Sequence, residues 1–143
     1  MSENRKGTTK IGEKSSMGYR HPEYPAPKLS GPCMCFDLAA ETKKLRREGI
    51  WDIESHNAIA LAKYDDLRVV LIAMKAGSRM EGHKAYGSIS IHSLTGRLRL
   101  HLPDRAVDIA AENLVILGRS QPHNIEALEN SSFLLSVSWA KSS

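Results

Sequence analysis

The chain has 143 residues, of which 41% are hydrophobic and 25% charged, with a formal net charge of +4. This composition is typical of one globular domain and excludes a collagen, a coiled-coil rod and a fully disordered chain. No run reaches the roughly 18 apolar residues that a membrane span needs. The first ten residues lack the apolar core of a signal peptide, and two cysteines cannot form a disulfide framework. We therefore expect a cytoplasmic protein without a membrane partner.

The positive charge lies at the front of the chain. Residues 1–35 carry six Lys/Arg against three Asp/Glu, residues 36–49 four against three, and residues 50–143 ten against ten. A nucleic-acid-binding domain would carry a basic face on its folded part, so we expect no nucleic-acid partner. Residues 1–35 are rich in Lys, Ser, Gly and Pro, which predicts a disordered basic tail. Near its end, the thiols of Cys33 and Cys35 are either free or a weak soft-metal site.

Residues 36–49 are predicted to form one short helix. Asp37 suits the N-cap position and Glu41 the first turns, because side-chain acceptors and negative charge stabilise a helix start. The Lys and Arg residues that follow favour the C-terminal end, and Gly49 is a suitable stop. The apolar side of this helix is thin, so the helix is expected to pack on the larger unit formed by residues 50–143.

Short strands are predicted through the rest of the chain. Their signals are β-branched and alternating apolar runs separated by turn residues such as Tyr64-Asp65-Asp66 and Thr95-Gly96. The predicted strands are 58–62, 67–74, 88–94, 97–102, 106–109, 114–117, 124–128 and 132–139. Seven or eight short strands at regular spacing predict an all-β sandwich or barrel. Residues 67–74 are apolar on both faces, so the helix or a second subunit is expected to cover one face, and we expect a homodimer.

Two spaced patterns carry a family resemblance. The first holds Gly77, His83, Ala85, Ile89 and Gly96, and the second, counted back from His123, holds Glu112, Gly118, Ser120 and Ala127. They are similar to the two motifs of small single-domain bacterial cupins of the RmlC-like type. Those motifs read Gly-x5-His-x-His-x3–4-Glu-x6-Gly and Gly-x5-Pro-x-Gly-x2-His-x3-Asn. The resemblance implies a small double-sheet jelly-roll barrel with one short N-terminal helix.

The resemblance also implies a site inside the barrel. In metal-binding cupins, three histidines and one glutamate form a cage of metal ligands there. This chain keeps His83 and His123, but Ala85 and Ile89 stand where the second histidine and the glutamate would be. A divalent ion held by two neutral imidazoles in an apolar barrel would keep its charge uncompensated, which is costly. The metal-binding motif is therefore degenerate. We expect no cofactor, or a weakly bound Fe, Mn, Ni, Cu or Zn ion on His83 and His123.

The remaining polar residues are weaker candidates. Glu81 is the nearest carboxylate that could replace the missing ligand. His92 has the opposite strand parity to Ile89 and is expected to point outwards if Ile89 points inwards. His101 shares a wet strand face with two arginines, and His56 precedes the first predicted strand. The sequence contains no nucleophile elbow, phosphate loop or zinc-protease motif.

Three functions remain open at this point. The first is a small-molecule-binding protein whose ligand pocket contains His83, Ala85, Ile89 and His123. The second is a metal-dependent enzyme of the dioxygenase or isomerase type that uses His83 and His123 with an incomplete ligand set. The third is a structural or interaction protein. Whether the chain is an enzyme stays undecided, because the fold that the resemblance implies hosts many activities.

Overall fold

The computed structural model describes residues 29–82 and 87–138, which form two short helices and nine strands. The helices are α1 (Leu38–Arg47) and α2 (Gly49–Ile53). The strands are β1 (His56–Lys63), β2 (Leu67–Met74), β3 (Arg79–Gly82), β4 (Ser88–Thr95), β5 (Arg97–His101), β6 (Ala106–Ala110), β7 (Leu114–Leu117), β8 (His123–Ala127) and β9 (Ser131–Ser138). Within this part of the chain, no helix is long and apolar enough to cross a membrane.

The strands form two antiparallel sheets that face each other. Sheet A has the order β1-β2-β9-β4-β7, and sheet B has the order β3-β8-β5-β6. This arrangement is the double-sheet jelly roll that the family resemblance implied. The prediction missed β3, because the sequence of Arg79–Gly82 has none of the β-branched residues that indicate a strand. It also placed β8 one residue too late, at Asn124.

The main core lies between the sheets. Alternate residues of each strand face inwards, as strand geometry requires, and their side chains form one cluster. Its buried members are Ala58, Ala60, Val70, Ile72, Met74, Met80, Ile89, Ile91, Leu98, Leu100, Ile109, Leu117, Ile125, Ala127, Phe133 and Leu135. Phe133 and Leu135 of β9 and Leu98 and Leu100 of β5 are among them. The barrel interior is therefore mostly filled by aliphatic side chains.

Helix α1 begins where the sequence predicts. The side chain of Asp37 accepts a hydrogen bond from the backbone N–H of Ala40 at 3.1 Å, which satisfies one of the free donors of the first turn. The helix ends at Arg47, and Glu48 is its C-cap. Gly49 is not the stop, because it begins the five-residue helix α2, which the sequence analysis did not predict.

The two helices cover the outer face of sheet A beside β1 and β2. Leu45 of α1 joins Leu61, Leu71 and Ala73 in a second buried cluster. The two-sided apolar character of β2 is explained by this arrangement, since its outer residues pack under α1. Asn57 of β1 fixes the helix: its Nδ2 donates to the carbonyl of Leu45 and to the carboxylate of Glu48, both at 2.9 Å. One of the last carbonyls of α1 thus accepts a hydrogen bond from a side chain of the sheet.

The segment before α1 lies against the turn between β1 and β2. The carbonyl of Leu29 accepts from the backbone N–H of Lys63, and the carbonyl of Gly31 accepts from the hydroxyl of Tyr64, both at 2.6 Å. Residues 29–31 are thereby held on the barrel, although they belong to the stretch predicted as a tail. Residues 1–28 lie outside the described residues, and the tail remains a prediction for them.

Candidate functional site: one end of the barrel interior

The predicted site residues belong to one end of the barrel, which we call the His123 end. At this end β8, β4 and β2 begin, β9 stops, and the chain turns between β5 and β6. The opposite end contains the tight β4–β5 turn at Gly96 and the connections from β2 to β3 and from β8 to β9. The two ends are separated by the filled apolar core.

His123 is buried, with 4% of its surface exposed. It shares the inward face of β8 with Ile125 and Ala127, and its cross-strand partner on β3 is Gly82. Its Nδ1 lies 3.1 Å from the carbonyl oxygen of Gln121. A carbonyl only accepts, so this contact places a proton on Nδ1 and makes Nε2 the acceptor of the neutral ring. The described residues give Nε2 no hydrogen-bond partner.

Ile89 faces inwards from the opposite sheet at the same end. It is 5% exposed and pairs with Val137 on one side and Leu117 on the other. The structure therefore brings Ile89 and His123 to one end of the barrel, on facing sheets. His83 and Ala85 lie outside the described residues. The four-residue pocket and the role of His83 as a ligand stay predictions.

The described residues do not fit a complete metal cage. Ile89 presents a hydrocarbon side chain where a carboxylate would be needed. Glu81 is exposed and lies on the outer side of β3, since its neighbour Met80 is in the core, so Glu81 cannot supply that carboxylate from β3. Within residues 29–82 and 87–138 there is no group of three His, Cys, Asp or Glu placed to hold a metal ion.

His56, His92 and His101 lie at the opposite end of the barrel or on its outer faces. His56 does not precede β1 but begins it. It is buried, and its partner is Met74 at the opposite end of the barrel. His92 points outwards beside Leu134, as its parity predicted. His101 lies on the outer face of sheet B, where its Nε2 is 2.8 Å from the carboxylate of Glu126.

The outer face of sheet B carries a solvated set of ion pairs. The guanidinium of Arg99 donates to Asp108 at 2.7 Å, and His101 is bonded to Glu126. The hydrogen bond from Arg99 lowers the pKa of Asp108, and the hydrogen bond with His101 lowers the pKa of Glu126. These pairs are partly exposed on the outer face of the barrel, which is typical of a polar protein surface.

Sequence reasoning missed Arg68. This residue lies in the apolar run of β2, on the same side as Val70 and Ile72, whose side chains are in the inner core. The signal was present in the sequence as the single charge within Leu67–Met74. It could not be interpreted, because both faces of this run are apolar and the sequence did not show which one is inward.

Outside the barrel, a groove of about 330 Å³ lies between the segment before α1 and the outer face of sheet A. Its lining is Met34, Phe36, Leu38, Leu61, Ala62, Tyr64, Val69 and Leu134. The side chain of Met34 lines this groove, whereas Cys33 and Cys35 on either side of it are exposed and free. Farther along the same face, Leu114 and Ile116 on the edge strand β7 are 59% and 62% exposed. Nothing in the described residues shows what covers them, and the homodimer stays a prediction.

The backbone supports the alignment of the two sequence patterns. Among the described residues, a positive φ occurs at Gly77 (84°), Gly96 (84°), Glu112 (70°) and Ser120 (63°). These are the four positions at which the two motifs named above require glycine. Glycine adopts a positive φ without strain, whereas other residues pay for it sterically. Glu112 and Ser120 thus have a backbone conformation that glycine favours, at positions where the second motif reads glycine. Ser120 lies three residues before His123, so this agreement supports the position of His123 in the second pattern.

Solved structures with the same architecture are found in several bacteria. A cupin superfamily protein from Desulfitobacterium hafniense is 18% identical over 59% of this chain and 78% of its own, with a TM-score of 0.58. An RmlC-like cupin from Desulfovibrio desulfuricans is 17% identical over 64% and 90%, with a TM-score of 0.56. A conserved Streptococcus pyogenes protein of unknown function is 17% identical over 80% and 95%, with a TM-score of 0.64.

No family model matches the sequence, and no curated protein matches it. The structural similarity at these low identities defines the fold. The protein has the cupin fold, a small jelly-roll barrel, as the sequence patterns implied.

Proposed function

We propose that this protein binds a small organic molecule at the His123 end of the barrel, without a complete metal cage. The observation that carries the proposal is His123 itself, a buried imidazole with one nitrogen bonded to the chain and the other without a described partner. Apolar walls with few inward polar groups are typical of small-molecule sites. The aliphatic Ile89 on the facing sheet supplies such a wall.

The tautomer of His123 defines what it can recognise. With Nδ1 donating to the carbonyl of Gln121, the neutral ring accepts at Nε2, which suits a hydroxyl or an N–H of the ligand. A protonated ring would donate at Nε2 instead and would suit an oxygen that carries negative charge. Either state orients a ligand by one directed hydrogen bond within apolar surroundings.

The alternative is a metal-dependent enzyme that uses His83 and His123 with an incomplete ligand set. The same Nε2 of His123 favours it, since imidazole nitrogens are common metal ligands. The fold does not decide between the two, because one fold hosts unrelated functions. A structural or interaction protein is the outcome that remains if neither a metal nor an organic ligand binds.

Metal analysis separates the proposal from its alternative. The full chain is purified and its metal content is measured before and after loading with Fe, Mn, Ni, Cu and Zn. His123→Ala removes the buried imidazole, and His101→Ala is the matched control, because it removes an imidazole from the outer face of sheet B. One metal per chain that is lost only in His123→Ala would replace the proposal with the metal enzyme. Absence of specific metal in all three proteins is the result we expect.

A thermal-shift screen against small organic molecules then tests binding directly. A ligand present at 100 times its Kd adds about 2.7 kcal/mol to the free energy of unfolding, which is easily measured. We expect stabilising compounds whose effect is lost in His123→Ala and kept in His101→Ala. A broad screen without any stabilising compound would contradict the proposal and favour the structural role.

A further inference from the structure

The groove beside α1 is a cavity that plays no part in the proposed function. It lies on the outer face of sheet A, whereas the His123 end belongs to the interior between the sheets. Its volume of about 330 Å³ falls within the range of small-molecule sites. An apolar cavity of roughly 150 Å³ is enough to bind benzene. The groove therefore has room for a molecule with two fused rings.

One wall of the groove is the segment before α1, and it is tied to the barrel. The hydroxyl of Tyr64 donates to the carbonyl of Gly31 at 2.6 Å, and the backbone N–H of Lys63 donates to the carbonyl of Leu29 at the same distance. Tyr64 itself lines the groove. These bonds hold the wall at a fixed place beside the sheet, so the groove is present before a ligand binds.

The other wall owes its shape to an irregularity in β1. The register between β1 and β2 shifts between Ala60 and Ala62, and Leu61 is the extra residue. Successive residues of a regular strand face opposite sides, but here Leu61 and Ala62 both line the groove. A bulge of this kind redirects side chains and is common next to functional sites. The small side chain of Ala62 leaves the space that a larger residue would fill.

The lining defines the charge and the polarity of a suitable ligand. The described residues that line the groove carry no charge, so an ion would lose its water there without gaining a partner. The one hydroxyl among them, that of Tyr64, uses its proton on the carbonyl of Gly31. Its oxygen keeps the capacity to accept a hydrogen bond. A matching ligand is therefore neutral and supplies one N–H or O–H donor.

Two further lining residues favour an aromatic ligand. Phe36 is 39% exposed, so part of its ring is open to contact by another molecule. Aromatic rings attract one another in offset and edge-to-face arrangements. The thioether of Met34 also lies in the lining, and sulfur makes favourable contacts with aromatic rings.

We propose that the groove is a second binding site, which takes a neutral two-ring aromatic molecule whose N–H or O–H donates to the oxygen of Tyr64. Indoles and naphthols have this chemistry. The site is separate from the His123 end, because the groove and the barrel interior lie on opposite faces of sheet A. Both sites can be occupied at once, and each is tested without the other.

The test is calorimetric titration of the full chain with indole and 2-naphthol. The matched probes are 1-methylindole and 2-methoxynaphthalene, in which a methyl group replaces the donor hydrogen, and 2-naphthoate, which adds a negative charge. We expect one molecule of indole or 2-naphthol to bind per chain. The methylated probes should bind about three- to tenfold more weakly, as the loss of one hydrogen bond predicts. The charged probe should bind most weakly of all.

Four variants locate the site. Ala62→Leu fills the groove and should weaken all the probes by about tenfold or more. Tyr64→Phe keeps the ring but removes the acceptor, so indole and 1-methylindole should then bind equally well. Ile116→Ala is the matched control, because it removes an exposed aliphatic side chain from the same face of sheet A outside the groove. His123→Ala is the control for the barrel interior, and both controls should leave the affinities unchanged.

The following results would overturn the proposal. Probes that do not bind, or that bind Ala62→Leu as tightly as the original protein, would exclude the groove as the site. Loss of binding in His123→Ala would place the probes in the barrel interior instead. Methylated probes that bind as tightly as their parents would exclude a hydrogen bond to Tyr64. If Ala62→Leu does not fold, Phe36→Ala replaces it at an exposed position and should weaken binding about threefold or more; unchanged binding in that variant would also exclude the groove.

Discussion

Replacing Glu112 by glycine should stabilise the protein. Glu112 is exposed in the turn between β6 and β7 and has a φ of 70°, in the left-handed region. That conformation costs a residue with a Cβ about 1–2 kcal/mol. Glycine avoids this cost but loses about 0.5–1 kcal/mol more in conformational entropy on folding than alanine does. The difference predicts that Glu112→Gly raises the free energy of unfolding by about 0.5–1 kcal/mol.

Urea denaturation measures this difference, with Glu112→Ala as the matched control. The alanine variant removes the same carboxylate but keeps the Cβ, so its free energy of unfolding should stay within about 0.5 kcal/mol of the original, as for most surface changes. The slope of the unfolding free energy against urea should be equal in all three proteins, since the surface exposed on unfolding is the same. If Glu112→Ala gains as much stability as Glu112→Gly, the gain comes from loss of charge, and the argument from φ is refuted.

Three further substitutions test the contacts that hold the barrel. Asn57→Ala should lower the free energy of unfolding by about 1–3 kcal/mol, because it leaves a buried carbonyl of α1 without its donor. An equal loss in Asn113→Ala, at an exposed position, would contradict this. Gly96→Ala should lower the free energy of unfolding by about 2–4 kcal/mol, because Gly96 has a φ of 84° and an added Cβ would collide with the β8–β9 turn. A loss below about 1 kcal/mol in urea unfolding would contradict that geometry. His101→Ala should raise the pKa of Glu126 towards its ordinary value, as followed by carboxyl NMR. The lowered pKa of Glu126 stabilises the folded protein at pH values above the pKa of this group in the unfolded chain, and this stabilisation is lost as the pH falls through the pKa in the folded protein. The His101→Ala variant should therefore lose less stability on acidification than the original protein. An unchanged titration of Glu126 would contradict the hydrogen bond.

The sequence predicted the strands and the helix whose residues have a strong propensity for that structure or are bounded by residues that favour a turn. The β2 strand has the predicted bounds of 67 and 74, because a β-branched run follows two aspartates that favour a turn. The N-cap at Asp37 was predicted because an aspartate side chain can accept a hydrogen bond from the first turn of a helix. β3 could not be predicted, since its four residues form a strand only through pairing with β8, and such pairing depends on residues far apart in the sequence.

The sequence predicted the part of the candidate site that depends on motif spacing. It did not predict the part that depends on which face of a strand points into the barrel. The position of His123 follows from the spacing of the second motif, and the positive φ values at Glu112 and Ser120 confirm that the backbone keeps this spacing. Arg68 has no such motif. Its inward direction follows from the packing of α1 on the opposite face of β2, and only the folded structure shows that packing.

The position of β9 has a consequence for how the chain folds. This strand follows all the others in chain order, yet it lies in the middle of sheet A, between β2 and β4. Until it inserts, β2 and β4 each present an unpaired apolar edge, which is the kind of surface that promotes association between partly folded chains. Pairings between segments so distant along the chain form slowly because a large loop must first close. The barrel therefore closes only when residues 131–138 insert between β2 and β4. Changes in this strand should reduce the yield of folded protein more than their effect on final stability would suggest.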